Sequence, residues 1–314
     1  MSVELEACLP AALRGPATTI TPIAAGLSGA GVYRVVAAAA RYVLKVAAPH
    51  EPLDGWRVRT DIQRAAAAAG VAPRVVHVDE DRHAVVSDLV ADQSLVARFA
   101  NPAARAEAIG AALGRVHALP IPPGVTTKAP RAFLAEVWPS LDGFPVPAWA
   151  GDVVRRALDE APPPADRAPV LSHNDVNPSN LVYDGERYLL LDWDAAGPND
   201  PCYDLATIAV FLNFDAATSA HLIAAHDQAP VAATLPTSFL YLRRLIAALC
   251  GTLFLRVARS GGHPGAAGDE SLDHAPTLAD IHGGMRAGTV DVRTPAGQWQ
   301  FAQALLKTSV TPLA

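Results

Sequence analysis

Between Leu171 and Asp194 the chain gathers polar groups that could do chemistry and frames them with apolar residues. The stretch from Leu171 to Val182 reads LSHNDVNPSNLV and places Asp175 five positions ahead of Asn180. Twelve residues beyond Asn180, the apolar run Leu189 to Leu191 delivers Asp192, with Asp194 two positions further on. Carboxylates at the end of an apolar strand call for a positive partner, because burying an unpaired charge is costly. Phosphoryl transfer from ATP gives each part a task. Mg²⁺ takes carboxylate and amide oxygens, which Asp192 and Asn180 supply. An acceptor hydroxyl needs a carboxylate to orient it and take its proton, which suits Asp175. The Asp-x4-Asn spacing, followed by an aspartate on the next hairpin, is that of kinase catalytic loops. A polar turn with solvated carboxylates explains any one of these residues, but not the ordered set.

Such groups need a framework, and the pattern of the chain supplies two kinds. Ile20 to Ala25, Val32 to Ala37, Arg41 to Ala47, Val75 to Val78 and His83 to Leu89 read as β-strands, with a Gly-rich turn from Gly26 to Gly31. An Ala-rich helix from Trp56 to Gly70 is inserted after the third strand and stopped by Gly70 and Pro73. This pattern predicts an antiparallel sheet lobe over residues 1–90. From 91 to 314 the chain reads as mainly helical, beginning with Ala103 to Leu119. Leu245 to Leu255, bracketed by Arg244 and Arg256, is too short by itself to span a bilayer and reads as a buried core helix.

The motif His173-Asn174-Asp175 through Asn180, followed by LLLDWDAAGPNDPCYDLATIA from Leu189 to Ala209, resembles the aminoglycoside phosphotransferase/choline kinase superfamily. So do the Gly-rich turn, VLKVA around Lys45, GVAPRVV from Gly70 and LGRVHALP from Leu113, in that order. The resemblance covers roughly residues 20 to 215 and leans toward the choline/ethanolamine/thiamine kinase branch. It implies an α+β, bilobal, protein-kinase-like fold with ATP and Mg²⁺ as cofactors. It makes Asp175 the catalytic base, Asn180 and Asp192 metal ligands, and Asp194 a further metal-site carboxylate. His173 and Asp204 would brace the catalytic loop. Lys45 would pair with the nucleotide phosphates; the only lysines are Lys45, Lys128 and Lys307, so a lysine here is a marked choice. Gly26, Ser28 and Gly29 would bring backbone amides to the phosphates. The helix glutamate that usually holds such a lysine is missing, and Asp61 is the carboxylate on that helix's body, so Asp61 is the expected partner. Ser87 to Val90, including Ser87 and Leu89, would face adenine.

The acceptor is less legible. Trp193, Asp194, Phe211, Phe214, Asp215, Tyr241 and the acidic group Asp269, Glu270 and Asp273 would suit a cationic hydroxyl compound, although aromatic residues on helices are more often core. A formal charge of −6 argues against nucleic acid as partner, no membrane partner is expected, and three widely spaced cysteines fit the reducing cytoplasm. Two other readings are weighed against an active kinase. One is a nucleotide-binding pseudokinase of the same fold, which the missing glutamate favours. The other is a metal-dependent phosphohydrolase using His173, Asp175, Asp192 and Asp194, which lacks further histidines in a comparable motif.

Overall fold

The computed structural model describes residues 2–23, 30–37, 40–49, 51–93, 99–165, 167–268 and 270–313. A short helix α1 (Ser2–Ala7) precedes five strands, β1 (Thr19–Pro22), β2 (Gly31–Ala37), β3 (Ala40–Val46), β4 (Val75–Asp79) and β5 (Ala84–Asp88), with helix α2 (Leu53–Ala68) between β3 and β4. The strands form one antiparallel sheet in the order β1-β2-β3-β5-β4. Strand alternation then sorts the two faces. Leu44 on β3 is fully buried in a core with Cys8, Leu9, Val35 and Val86. Lys45, the next residue, pairs in register with Val32 and Val85 and belongs to the opposite face. Helix α2 stops where Gly70 takes φ 70° and Val71 donates its amide to Ala66, a left-handed cap that glycine adopts without strain.

The second lobe is mainly helical: α3 (Pro102–His117), α4 (Pro130–Val137), α5 (Ala148–Asp159), α6 (Cys202–Phe211), α7 (Ala216–Asp227), α8 (Thr237–Ser260), α9 (Leu278–Ala287) and α10 (Pro295–Val310). Its core runs through Ile109, Leu113, Leu205, Ile208, Leu222, Phe239 and Ile246. Helices α3 and α7 approach closely because Gly110 and Gly114 face the partner backbone. A Cβ at Gly110 would overlap the Leu222 carbonyl oxygen, and one at Gly114 would stand 2.9 Å from that of His226. Leu245 to Leu255 forms the middle of the 24-residue α8, which is long and apolar enough to cross a membrane; 72% of its apolar window is buried inside the protein.

Two small ladders bring the polar motifs together. β6 (Val170–Ser172) pairs with β9 (Gly197–Asn199), and β7 (Leu181–Tyr183) pairs with β8 (Tyr188–Leu190). The 173–180 loop leaves β6 and enters β7, while the 191–196 loop leaves β8 and enters β9. Pairing both ends of one loop to both ends of the other sets them side by side. Val71, at the exit of α2, accepts the amide of Leu190 at 2.8 Å and ties the sheet lobe to this hairpin.

Candidate active site

Asp192 sits at the tip of the second loop with φ 63° and ψ 76°, a left-handed conformation that few side chains tolerate. Strain of this kind persists only where the surroundings enforce it. Leu191 just before it donates to the Asn180 carbonyl at 2.8 Å, which joins the two loops. From across the interlobe cleft, Lys45 Nζ donates to Asp192 Oδ1 and to Asp194 Oδ2, each at 2.7 Å. The ammonium thus bridges two neighbouring carboxylates and eases their repulsion, offsetting the charge of one of them. Burial would raise the Asp192 carboxyl, but Lys45 outweighs it and holds that carboxyl below its ordinary value.

Asp175 is held from its own loop. Asn180 Nδ2 donates to Asp175 Oδ2 at 2.7 Å, and Asn177 Nδ2 donates to Oδ1 at 3.0 Å. Burial nevertheless pushes the Asp175 carboxyl above its ordinary value, outweighing both amides and the nearby His173. With its nitrogen spent on Asp175, Asn180 keeps Oδ1 for another partner, and Asp192 and Asp194 each keep one oxygen that Lys45 does not take. These are three hard oxygen donors on adjoining loops, a set that fits a magnesium ion. Among the described residues no cluster of three or more His, Cys, Asp or Glu side chains forms a metal site.

Beneath the loops lies a buried brace. Asp204, in the first turn of α6, is fully buried and accepts the amides of His173 (2.7 Å) and Asn174 (2.9 Å). His117 Nε2, from the end of α3, lies 3.0 Å from the same carboxylate. Burial alone would raise Asp204; His117 and the loop amide keep it below its ordinary value. His117 Nδ1 meets His226 Nε2 at 2.8 Å, and His226 Nδ1 meets Asp227 Oδ1 at 2.7 Å. His173 is also fully buried, and its Nε2 donates to the Leu191 carbonyl at 3.0 Å. Its ring is therefore a strut between the loops, and burial keeps it neutral by lowering its pKa.

Several expectations need correction or fall elsewhere. Asp61 does not hold Lys45: its side chain is 72% exposed and faces Arg64 at 3.8 Å. The face of α2 turned to the lysine carries Trp56, Thr60 and Gln63, spaced by one and two helical turns. An acid that does line this cleft is Glu51, ahead of α2, and it is paired with Arg59. Gly26, Ser28 and Gly29 lie outside the described residues. Ser87 is part of β5, opposite Val43, and Leu89 spends its amide on the Arg41 carbonyl at 3.1 Å, so only its carbonyl is left for a ligand. Of the residues considered for the acceptor, Asp194 stands in the interlobe cleft with Lys45, while others are taken up elsewhere. Trp193, Phe214 and Tyr241 are buried in the core, Asp215 caps α7 through Thr218, and Glu270 is bound by Gln303. Asp269 lies outside the described residues. Instead Tyr203 and Cys250 feel the Asp175 charge; burial pushes the Cys250 thiol up to about 12. Neither stands out in the sequence, since only packing of α6 and α8 brings them to Asp175.

The bilobal α+β fold with these two loops defines a phosphotransferase of the protein-kinase-like class. The model of the phosphotransferase enzyme family matches residues 19–240, and the chain belongs to that family. Among solved structures, a choline/ethanolamine kinase family protein from Mesorhizobium loti is similar with a TM-score of 0.60 and 22% identity, covering 96% of this chain and 98% of that one. An aminoglycoside-3'-phosphotransferase of type VIII is similar with a TM-score of 0.55 and 23% identity, over 75% and 95%. At these identities the likeness is one of fold. A curated relative, protein LicA of Haemophilus influenzae, is 44% identical over 36 residues, which is 12% of this chain and only 14% of that protein's length.

Proposed function

We propose that the protein transfers the γ-phosphoryl group of ATP to a hydroxyl group of a small molecule. Residues 1–90 would hold the nucleotide, and 91–314 would supply the base and the acceptor pocket. The observation that carries this reading is the grip of Lys45 on Asp192 and Asp194 beside a separately held Asp175. An ammonium has three donors, and two are spent on these carboxylates, so a third can meet a phosphate oxygen. Asp175 orients the acceptor hydroxyl and takes its proton as the oxygen attacks the γ-phosphorus. The bond from that phosphorus to the ADP oxygen then breaks. Asn177 and Asn180 fix the rotamer of the base, so the hydroxyl meets it in one geometry. Asn180, Asp192 and Asp194 would hold magnesium, which screens the charge of the phosphates when bound.

The acceptor is read as a hydroxyl-bearing small molecule, with amino alcohols, choline-like compounds and aminoglycosides as the first to try. ADP release across such a panel is the direct test. Asp175→Asn is expected to lower kcat by about 10²–10⁴-fold while ATP still binds. Turnover near the parent rate in that variant would remove Asp175 from the role of base. A pseudokinase is the second reading, favoured by the Thr60 and Gln63 face where an acid would hold Lys45. It predicts ATP binding with no ADP release for any acceptor. A cytoplasmic location accords with cysteines that are few and form no disulfide among the described residues.

A further inference from the structure

The helical lobe contains a second polar cleft, away from the two loops. Asp204 in the first turn of α6 grips the 173–180 loop, whereas Phe214 and Asp215, just past the last turn, line this cleft. A ten-residue helix is about 15 Å long, so the two places are distinct. The cleft has a volume of about 220 Å³, several times the ~30 Å³ that one water occupies in the liquid.

Its walls carry two cations, Arg243 and Lys307, against one carboxylate, Asp215. Arg243, from α8, is only 6% exposed, and its Nε is buried with no hydrogen-bond partner. Among the described residues it forms no ion pair. Burial, with the charge of Arg244 beside it, lowers the Arg243 pKa to about 10. Arginines this buried are seldom left unpaired, because a lone charge out of water is costly. Lys307, from α10, donates to the carbonyls of Asp273 (3.1 Å) and Ala275 (2.7 Å); it forms no close ion pair among the described residues, and Asp280 feels its charge from a distance. One of its three donors is uncommitted.

The N-terminus of the ten-residue α9 completes the wall. Thr277 and Asp280 form a capping box there and satisfy each other's amides. The amides of Leu278 and Ala279, the first two of the helix, have no acceptor within the described fold and sit at its positive end. The carboxylates nearby keep their charge but turn their oxygens to cap donors: Asp215 to the Thr218 amide at 2.7 Å, and Asp280 to Thr277 at 2.8 Å.

We propose that this cleft binds a small phosphate-bearing anion, held by Arg243, Lys307 and the first amides of α9. Donors that line the cleft from three helices suit a tetrahedral group with three terminal oxygens better than a planar carboxylate. The site shares no residue with the proposed transfer of phosphate and stands or falls independently of it.

Inorganic phosphate serves as the probe, titrated calorimetrically and by thermal melting at constant ionic strength with chloride as control. The titration is run in the parent and in Lys45→Met, which blinds the interlobe cleft. Phosphate is expected to bind both proteins alike and to raise their melting temperatures. Arg243→Met is expected to weaken binding by about tenfold or more. Without phosphate that variant should melt no lower than the parent, because it removes an unpaired buried charge. Lys307→Met is expected to weaken binding less, and it provides the test should Arg243→Met fail to fold. Phosphate binding that survives both substitutions, that disappears in Lys45→Met, or that is absent from the parent up to about 50 mM would overturn the proposal.

Discussion

Asp175 is ordinary in its sequence neighbourhood and unusual in its surroundings. Burial raises its carboxyl, while Asn177 and Asn180 donate to the ionised form and pull the other way. The base that we propose must be ionised to act, so kcat/KM should fall on the acid side at a pH above that of an unperturbed aspartate, about 3.9. Asn177→Ala removes one donor to the carboxylate and should move that acid limb to still higher pH in a pH–rate profile. The same shift has a consequence for stability. A carboxyl raised by folding contributes most below its unfolded pKa, and the contribution is lost as pH climbs through the folded value. At neutral pH the ionised Asp175 is therefore a cost. Asp175→Asn should raise the melting temperature at pH 7 even as it lowers kcat, and a lower melting temperature would contradict the burial argument.

At the level of elements, helix α6 and the contact of α3 with α7 carry the loops. Asp204 offers its two oxygens to two loop amides and to His117. Replacing it by Ala leaves all three donors buried without an acceptor, and unfolding in urea should show a loss of about 3–5 kcal/mol. The sign with pH also follows. The Asp204 carboxyl is held below its ordinary value, so its stabilisation is present above the unfolded pKa and lost as pH falls through the folded one. His117 meets His226 because α3 lies close on α7. Gly110→Ala drives a methyl group into the Leu222 carbonyl, and overpacking of this kind should cost about 1–3 kcal/mol in the same urea assay.

Across the whole molecule, Lys45 joins a strand of the first lobe to a loop of the second, 147 residues along the chain from Asp192. A ligand that binds both lobes should therefore stabilise the fold as one unit. At about 100 times its Kd, Mg²⁺·ATP should add about 2.7 kcal/mol. Calorimetric melting should show the gain in the parent, and it should shrink with EDTA or in Lys45→Met. Residues close in sequence were legible from the sequence alone: Asp175 and Asn180 share one loop, Asp192 and Asp194 end one strand, and Lys45 follows from strand alternation. Short-range spacing and the period of two decide such things, and the resemblance to the phosphotransferase family rests on them. Which face of α2 meets the lysine was not legible, because choosing Gln63 and Thr60 over Asp61 depends on how a helix rotates against a distant hairpin. Nor were the Asp204–His117–His226 brace or the unpaired Arg243. Each is made by helices that adjoin only after packing, and burial, which leaves an arginine without a partner and raises a carboxyl, exists only in the folded chain.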